Sequence, residues 1–158
     1  MNEYKRKKSI LLVSLHLFLA VGAIGGGIIL LIDPSGELAG ISLLLLDGSL
    51  FNSYFIPGLI LFLLLGILPI IVATGLIKQW DSIWLEKLNI YKTKHWSWTF
   101  SLYIGFALII WIIMQVFIIK TLFILQFIFI MLGIIIQIVT LLPLVQRNYL
   151  KDTKTPLK

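Results

Sequence analysis

Residues 99–145 read TFSLYIGFALIIWIIMQVFIIKTLFILQFIFIMLGIIIQIVTLLPLV, and Lys120 is the only charged side chain among them. One continuous helix of this length would extend about 70 Å, more than twice the ~30 Å hydrocarbon layer of a membrane. The chain must therefore turn back on itself. Lys120 and Thr121 form the only polar pair between Gln115 and Gln126. The stretch predicts two membrane-spanning helices joined by a turn at Lys120–Thr121.

Two further apolar stretches, residues 9–32 and 54–77, are long enough to cross the layer, and together with 99–119 and 121–145 they make four predicted spans. Of the 158 residues, 59% are hydrophobic and 13% are charged, whereas a soluble domain is about a quarter charged. This composition excludes a freely soluble domain, and its hydrophobicity excludes a disordered chain. We expect an all-α membrane protein, with residues 1–158 forming a single domain whose four transmembrane helices pack as a bundle.

The basic residues predict the orientation of the spans. Positive side chains are retained on the cytoplasmic side of a membrane. The connection between spans one and two has no Lys or Arg and carries Asp33, Glu37 and Asp47. Both termini are therefore predicted to be cytoplasmic, and the net charge of +6 indicates orientation, not nucleic-acid binding. The basic residues outside the spans on the cytoplasmic side are Lys5, Arg6, Lys7, Lys8, Lys78, Lys87, Lys92, Lys94, Arg147, Lys151, Lys154 and Lys158.

The first span could be mistaken for a cleaved signal peptide. It has a basic start, an apolar run from Ile10 and small residues at positions 20–23. The apolar run continues to Ile32, which suits a full span better. We expect an uncleaved first helix.

The cytoplasmic segment 79–98 has the pattern of an amphipathic helix in the membrane interface. At 100° per residue one face is apolar and aromatic, and the other is polar. Such a helix would rest on lipid headgroups, and it offers a docking surface to a protein partner. The apolar face consists of Trp80, Ile83, Trp84, Leu88 and Tyr91.

The outer segment 33–53 is unusual because it is too apolar for a free loop and too short to span. Turn chemistry at Asp33-Pro34-Ser35-Gly36 is followed by the apolar run 41–46 and a second polar break. We expect the apolar run to lie half-buried over the mouth of the bundle. The crevice under residues 38–53 is then a candidate ligand site, with candidate residues Asp33, Glu37, Asp47, Asn52 and Tyr54.

Pro69 lies deep within the second span. Its ring clashes with the carbonyl one turn earlier, and it has no N–H to donate. We expect a kink in the second span at this position.

Several motifs together resemble a family of small bacterial four-helix integral membrane proteins that has no assigned activity. They are Gly26-Gly27, Asp33-Pro34-Ser35-Gly36, Ser49-Leu50-Phe51, Tyr54-Phe55-Ile56-Pro57-Gly58-Leu59, Trp96-Ser97-Trp98, Leu141-Leu142-Pro143 and Arg147-Asn148-Tyr149. The resemblance extends from about Gly26 to Tyr149. It implies a multi-pass protein of the bacterial cell membrane, and it brings no catalytic residues.

Polar side chains within the spans are expensive to bury in hydrocarbon and so point to function or to helix contacts. Gln115 and Gln126 lie at matching depth on either side of the turn, which predicts a hydrogen bond between them. A contact between His16 and Gln137 would require spans one and four to be neighbours. On span one, Gly22 and Gly26 have the spacing that favours a close helix contact. The intramembrane candidates are His16, Trp111, Gln115, Gln126 and Gln137.

No span contains Asp or Glu, and the chain has no Cys. We therefore predict no catalytic residue, no metal site and no cofactor. The first hypothesis is a non-enzymatic accessory subunit or a binder of a membrane lipid or other lipophilic molecule. The alternative is a small oligomeric transporter or channel with the intramembrane Gln and His side chains lining its path, which leaves homo-oligomerisation open. A membrane-embedded enzyme that modifies lipids is a third hypothesis and would need the outer acids to converge.

Overall fold

The structure, a computed structural model, describes residues 8–151 as helices joined by turns. Four of the helices are long and apolar enough to cross a membrane, so the predicted four-helix bundle of a multi-pass membrane protein is confirmed. A single 3₁₀ turn, Leu43–Leu46, lies between the first two. In chain order the helices are α1 (Ile10–Ile32), α2 (Phe55–Lys78), α3 (Ile83–Lys87), α4 (Trp96–Ile119), α5 (Ile124–Leu141) and α6 (Pro143–Asn148).

The turn predicted at Lys120–Thr121 is present. Lys120 ends α4 in the left-handed conformation, with φ of 57°, and its N–H still donates to the carbonyl of Val116. At the start of α5 the Gln126 side-chain oxygen accepts the N–H of Phe123 at 3.0 Å. The side chain thereby satisfies a backbone donor that the first turn of a helix leaves free.

Local capping explains where the later helices begin and end. α4 begins at Trp96, not at residue 99, because the His95 imidazole accepts the N–H of Ser97 at the helix start. α5 ends at Leu141, not at residue 145, since the residue before Pro143 takes an extended conformation. The chain then resumes as the short helix α6.

Both ends of the described chain lie at one end of the bundle, as four spans require. The N–H of Ser9 donates to the Tyr149 hydroxyl at 3.2 Å, and the N–H of His95 donates to the Tyr149 carbonyl at 2.8 Å. We call this the basic end (residues 8–9, 79–95 and 142–151) and the opposite one the acidic end (residues 33–54 and 120–123). The remaining basic residues of the topology prediction, Lys5, Arg6, Lys7, Lys154 and Lys158, lie outside the described residues.

Glycines bring α1 and α2 into close contact. A Cβ on Gly27 would lie 2.9 Å from the backbone nitrogen of Phe62, and one on Gly58 would lie 2.8 Å from the Cβ of Leu30. Between these contacts and Pro69, α2 widens into π-helical turns over Leu61–Ile67, where the Leu68 N–H donates to the Leu63 carbonyl. The missing donor and the ring of Pro69 are thus accommodated by a local change in helix type.

α4 and α5 form the second close pair. A Cβ on Gly133 would lie 3.2 Å from the carbonyl oxygen of Gly105, and the Trp98 indole donates to the Thr140 carbonyl at 2.8 Å. α1 also contacts α5, since a Cβ on Gly22 would lie 3.2 Å from the Phe129 ring. These two pairs and their contacts bring all four spans together around one intramembrane space.

Candidate functional site

A crevice of about 160 Å³ lies among the four spans in their half toward the acidic end. We call it the span crevice. Its wall contains no charged side chain, so it is an apolar space with a few polar groups. It is lined by Leu19, Gly22, Ala23 and Gly26 of α1, Leu61 of α2, Leu108, Trp111, Ile112 and Gln115 of α4, and Leu125, Gln126 and Phe129 of α5.

The two glutamines in the wall are bonded to each other across the α4–α5 turn. The amide nitrogen of Gln126 donates to the side-chain oxygen of Gln115 at 3.4 Å, which confirms the predicted hydrogen bond. The oxygen of Gln126 accepts the Phe123 N–H. Within residues 8–151 the amide nitrogen of Gln115 donates no hydrogen bond of its own, so two N–H groups remain available beside the crevice.

Trp111 supplies a third donor. Its indole nitrogen Nε1 is buried and has no hydrogen-bond partner anywhere in the described part of the chain. An indole N–H can only donate, and a buried donor left without a partner costs about 1–3 kcal/mol. The wall of the span crevice therefore contains a polar group that an acceptor would stabilise.

The other two intramembrane candidates do not line the span crevice. His16 is fully buried, and its Nδ1 donates to the Leu12 carbonyl of its own helix at 2.8 Å. Gln137 donates to the Leu102 carbonyl of α4 at 2.9 Å, because Gly105 leaves room for the amide against that helix. Neither His16 Nε2 nor Gln137 Oε1 has a hydrogen-bond partner within residues 8–151. The considered His16–Gln137 hydrogen bond is therefore absent, although α1 and α5 are neighbours.

In the outer segment, Asp33 and Tyr54 hold the loop together. Asp33 accepts hydrogen bonds from the Ser35 hydroxyl at 2.6 Å and the Leu38 N–H at 2.7 Å, and these bonds hold the pKa of its carboxyl below the usual value. The buried Tyr54 donates its hydroxyl to the Ser42 carbonyl at 2.8 Å. Both side chains are engaged by the loop backbone, so they do not form the mouth of a ligand crevice.

The crevice expected beneath residues 38–53 is not formed around the five candidates. Glu37, Asp47 and Asn52 are exposed, and only Asp47 and Asn52 line a shallow depression of about 280 Å³. Successive residues of a 3₁₀ turn point about 120° apart, so of Leu43–Leu46 only Leu46 is buried against the bundle. Leu50 is 95% exposed. The apolar run therefore covers the bundle less than expected.

The helix expected over residues 79–98 is confined to α3, Ile83–Lys87. It ends there because the buried Asn89 side chain bonds the next backbone groups. Asn89 donates to the Lys94 carbonyl at 2.8 Å, and its oxygen accepts the Tyr91 N–H and the Thr99 hydroxyl. The segment after α3 is consequently a folded turn fixed to the start of α4.

The apolar face predicted for this segment is nevertheless exposed at the basic end. Ile83 is 78% and Trp84 76% exposed, and the ammonium group of Lys87 lies 4.7 Å from the centroid of the Trp84 ring. Aromatic side chains beside a lysine are typical of the headgroup region. The exposed face is consistent with the predicted position in the membrane interface.

Glu86 ties this segment to the C-terminal part of the chain. Burial raises the pKa of its carboxyl, but hydrogen bonds from Lys151 and Asn89 and the charge of Lys151 outweigh this and hold the pKa below its usual value. The carboxylate also accepts the Trp96 N–H at 3.2 Å. Glu86 is thus fully engaged in structure. No group of three or more His, Asp or Glu side chains able to hold a metal ion is present in residues 8–151.

Comparisons with protein-family models, with curated proteins and with solved structures find no match to this chain. The resemblance to a family of small bacterial four-helix membrane proteins therefore stays a prediction. What the molecule does is argued from its geometry.

Proposed function

We propose that the protein is a non-enzymatic membrane protein that binds a lipophilic molecule in the span crevice, either for its own sake or as an accessory subunit. The observation that supports this most strongly is the unpartnered indole N–H of Trp111 beside an apolar space enclosed by all four spans. A bound molecule would fill the space and supply the missing acceptor. The free energy of both changes favours the complex.

The size and lining of the span crevice favour an apolar occupant over water. A dry cavity of about 150 Å³ lined by apolar side chains accepts a benzene ring, and the span crevice measures about 160 Å³. It can hold one ring or a segment of an acyl chain. Leu125 lines the crevice and is 61% exposed, so we place the mouth on the α5 side, where a lipophilic molecule can enter from the membrane.

The alternative functions find less support in the same contacts. A transport path along the intramembrane polar residues would have to pass the buried, apolar Leu108 and Ile104 on α4. A lipid-modifying enzyme would need the outer acids together, but Asp33 is bonded to its own loop and Glu37 and Asp47 are exposed. Both alternatives stay predictions.

Native mass spectrometry of the wild-type chain, released from membranes in a mild detergent, tests the proposal. We expect a fraction of the chain to retain one non-covalent lipophilic molecule that survives detergent exchange. A chain that appears only bare, across several mild detergents, would overturn the proposal.

We propose further that the basic end faces the cytoplasm of a bacterial cell. The support is the distribution of charge, since Lys8, Lys78, Lys87, Lys92, Lys94, Arg147 and Lys151 all lie at this end. The natural chain has no Cys, so single cysteines report on sidedness. We expect a membrane-impermeant maleimide to label Asn52→Cys in intact cells and Thr93→Cys only after permeabilisation. The reverse pattern would overturn the orientation.

A further inference from the structure

We infer that the molecule in the span crevice presents a carbonyl oxygen, carried on an otherwise apolar and uncharged body, to the N–H groups of Trp111 and Gln115. This inference rests on the proposed function and names the chemistry of the ligand. It follows from the donors, the acceptors and the charge of the wall.

The wall offers donors, and its acceptors are already in use. Trp111 contributes its unpartnered indole N–H, and Gln115 contributes an amide nitrogen that donates no bond within the described residues. The oxygen of Gln115 accepts from Gln126, and the oxygen of Gln126 accepts from the Phe123 backbone. A ligand that accepts hydrogen bonds and has none to donate therefore matches this wall.

The absence of charge in the wall selects among acceptors. An ionised carboxylate or phosphate buried there would lose its hydration without meeting a cation, because no lining residue is charged. A buried alcohol would bring a donor that the occupied amide oxygens serve poorly. A ketone or ester carbonyl avoids both costs.

The positions of the two donors suit a carbonyl compound of limited size. Trp111 and Gln115 are four residues apart on α4, which is one turn or about 6 Å along the axis. Gln115 lies about 6 Å from the end of α4 at Ile119 and Trp111 about 12 Å, so the donors extend from near the edge of the hydrocarbon inward. Two membrane molecules present carbonyl groups at such depths, the ring of a quinone and the ester of an acyl lipid.

Matched probes distinguish carbonyl recognition from simple partitioning. We would titrate the full chain in nanodiscs with a short-tailed benzoquinone, with the alkylbenzene of the same tail, with methyl oleate and with octadecene, and measure occupancy by native mass spectrometry. We expect at least one carbonyl compound to bind the wild type more tightly than its hydrocarbon counterpart. The member of the pair that shows the larger difference identifies the source as quinone or ester.

Substitutions then locate the recognition. Trp111→Phe and Gln115→Leu should each weaken binding of the carbonyl probe by roughly threefold to tenfold, the usual effect of losing one hydrogen bond, and leave the hydrocarbon unchanged. Trp84→Phe, at the exposed aromatic face of the basic end, should change neither. Helix content and gel filtration verify the fold, and Gln115→Leu carries the test if Trp111→Phe does not assemble.

Two negative results have different meanings. If hydrocarbons bind the wild type as well as the carbonyl compounds, and neither variant discriminates between them, carbonyl recognition is wrong while the lipophilic site stands. If no probe of any class binds the wild type, the inference and the proposed function fail together.

Discussion

Gly26→Leu is expected to reduce retention of the lipophilic molecule by about tenfold or more. Gly26 lines the span crevice, and a Cβ there would lie 3.3 Å from the end of the Leu61 side chain, so a longer side chain must extend into the remaining space. Displacing or overpacking that side chain costs about 1–3 kcal/mol. Occupancy measured by native mass spectrometry, for the variant and the wild type purified side by side, gives the ratio.

The neighbouring residue provides a matched control. A Cβ on Gly25 would meet no atom within 4 Å, so Gly25→Leu makes the same chemical change on the same helix and directs it away from the crevice. Both variants remove a glycine from a helix and gain similar intrinsic propensity. Equal occupancy in the two variants would show that the molecule binds elsewhere on the protein.

Gly27→Ala is expected to destabilise the bundle by about 1–3 kcal/mol. A Cβ at this position would lie 2.8 Å from the Cβ and 2.9 Å from the backbone nitrogen of Phe62. Backbone cannot rotate away as the end of a side chain can, so α1 and α2 must separate along their contact. Unfolding in detergent, followed by the loss of helical circular dichroism, measures the change.

Gly25→Ala is the control for this experiment as well. Because its Cβ enters open space, only the gain in helix propensity remains, and we expect the variant to be as stable as the wild type or more stable by about 0.5–1 kcal/mol. If Gly27→Ala were equally stable, the close contact of α1 with α2 would be wrong.

The number of spans and their bounds could be predicted because they depend on bulk properties of the chain. An apolar run of given length either crosses the hydrocarbon layer or does not, and the run at 99–145 was too long to cross once. The turn at Lys120 was found without a glycine or proline because a polar pair in hydrocarbon is costly wherever it lies.

The connections were harder to predict because their conformations depend on partners distant in sequence. The helical pattern of residues 79–98 is real as an apolar face, yet Asn89 ends the helix through bonds to Lys94, Tyr91 and Thr99. The apolar run of residues 41–46 indicated burial, but hydropathy does not reveal that a 3₁₀ turn directs its side chains to several sides.

The candidate site was predicted in part for a similar reason. Equal depth on two antiparallel helices was enough to pair Gln115 with Gln126, and Trp111 was recognised as a polar group within a span. The wall formed by Gly22 and Gly26 was instead interpreted as a close helix contact. Their neighbour Gly27 makes the closest contact with α2, while Gly22 and Gly26 leave space. The sequence shows that a glycine lacks a side chain, but not whether a neighbouring helix fills the gap.

Photolabelling in membranes tests most directly whether the span crevice holds a bound molecule. The probe is an acyl chain that carries a diazirine, and α4 supplies both test and reference positions. Leu108 and Ile112 line the crevice, whereas Phe106 and Ile110 are exposed on the outer surface of the same helix. We predict that labelling of Leu108 and Ile112 saturates with probe concentration and is lost in Gly26→Leu, while labelling of Phe106 and Ile110 rises in proportion. Labelling that fails to saturate at all four positions, or that is absent from Leu108 and Ile112, would contradict a lipophilic site between the spans.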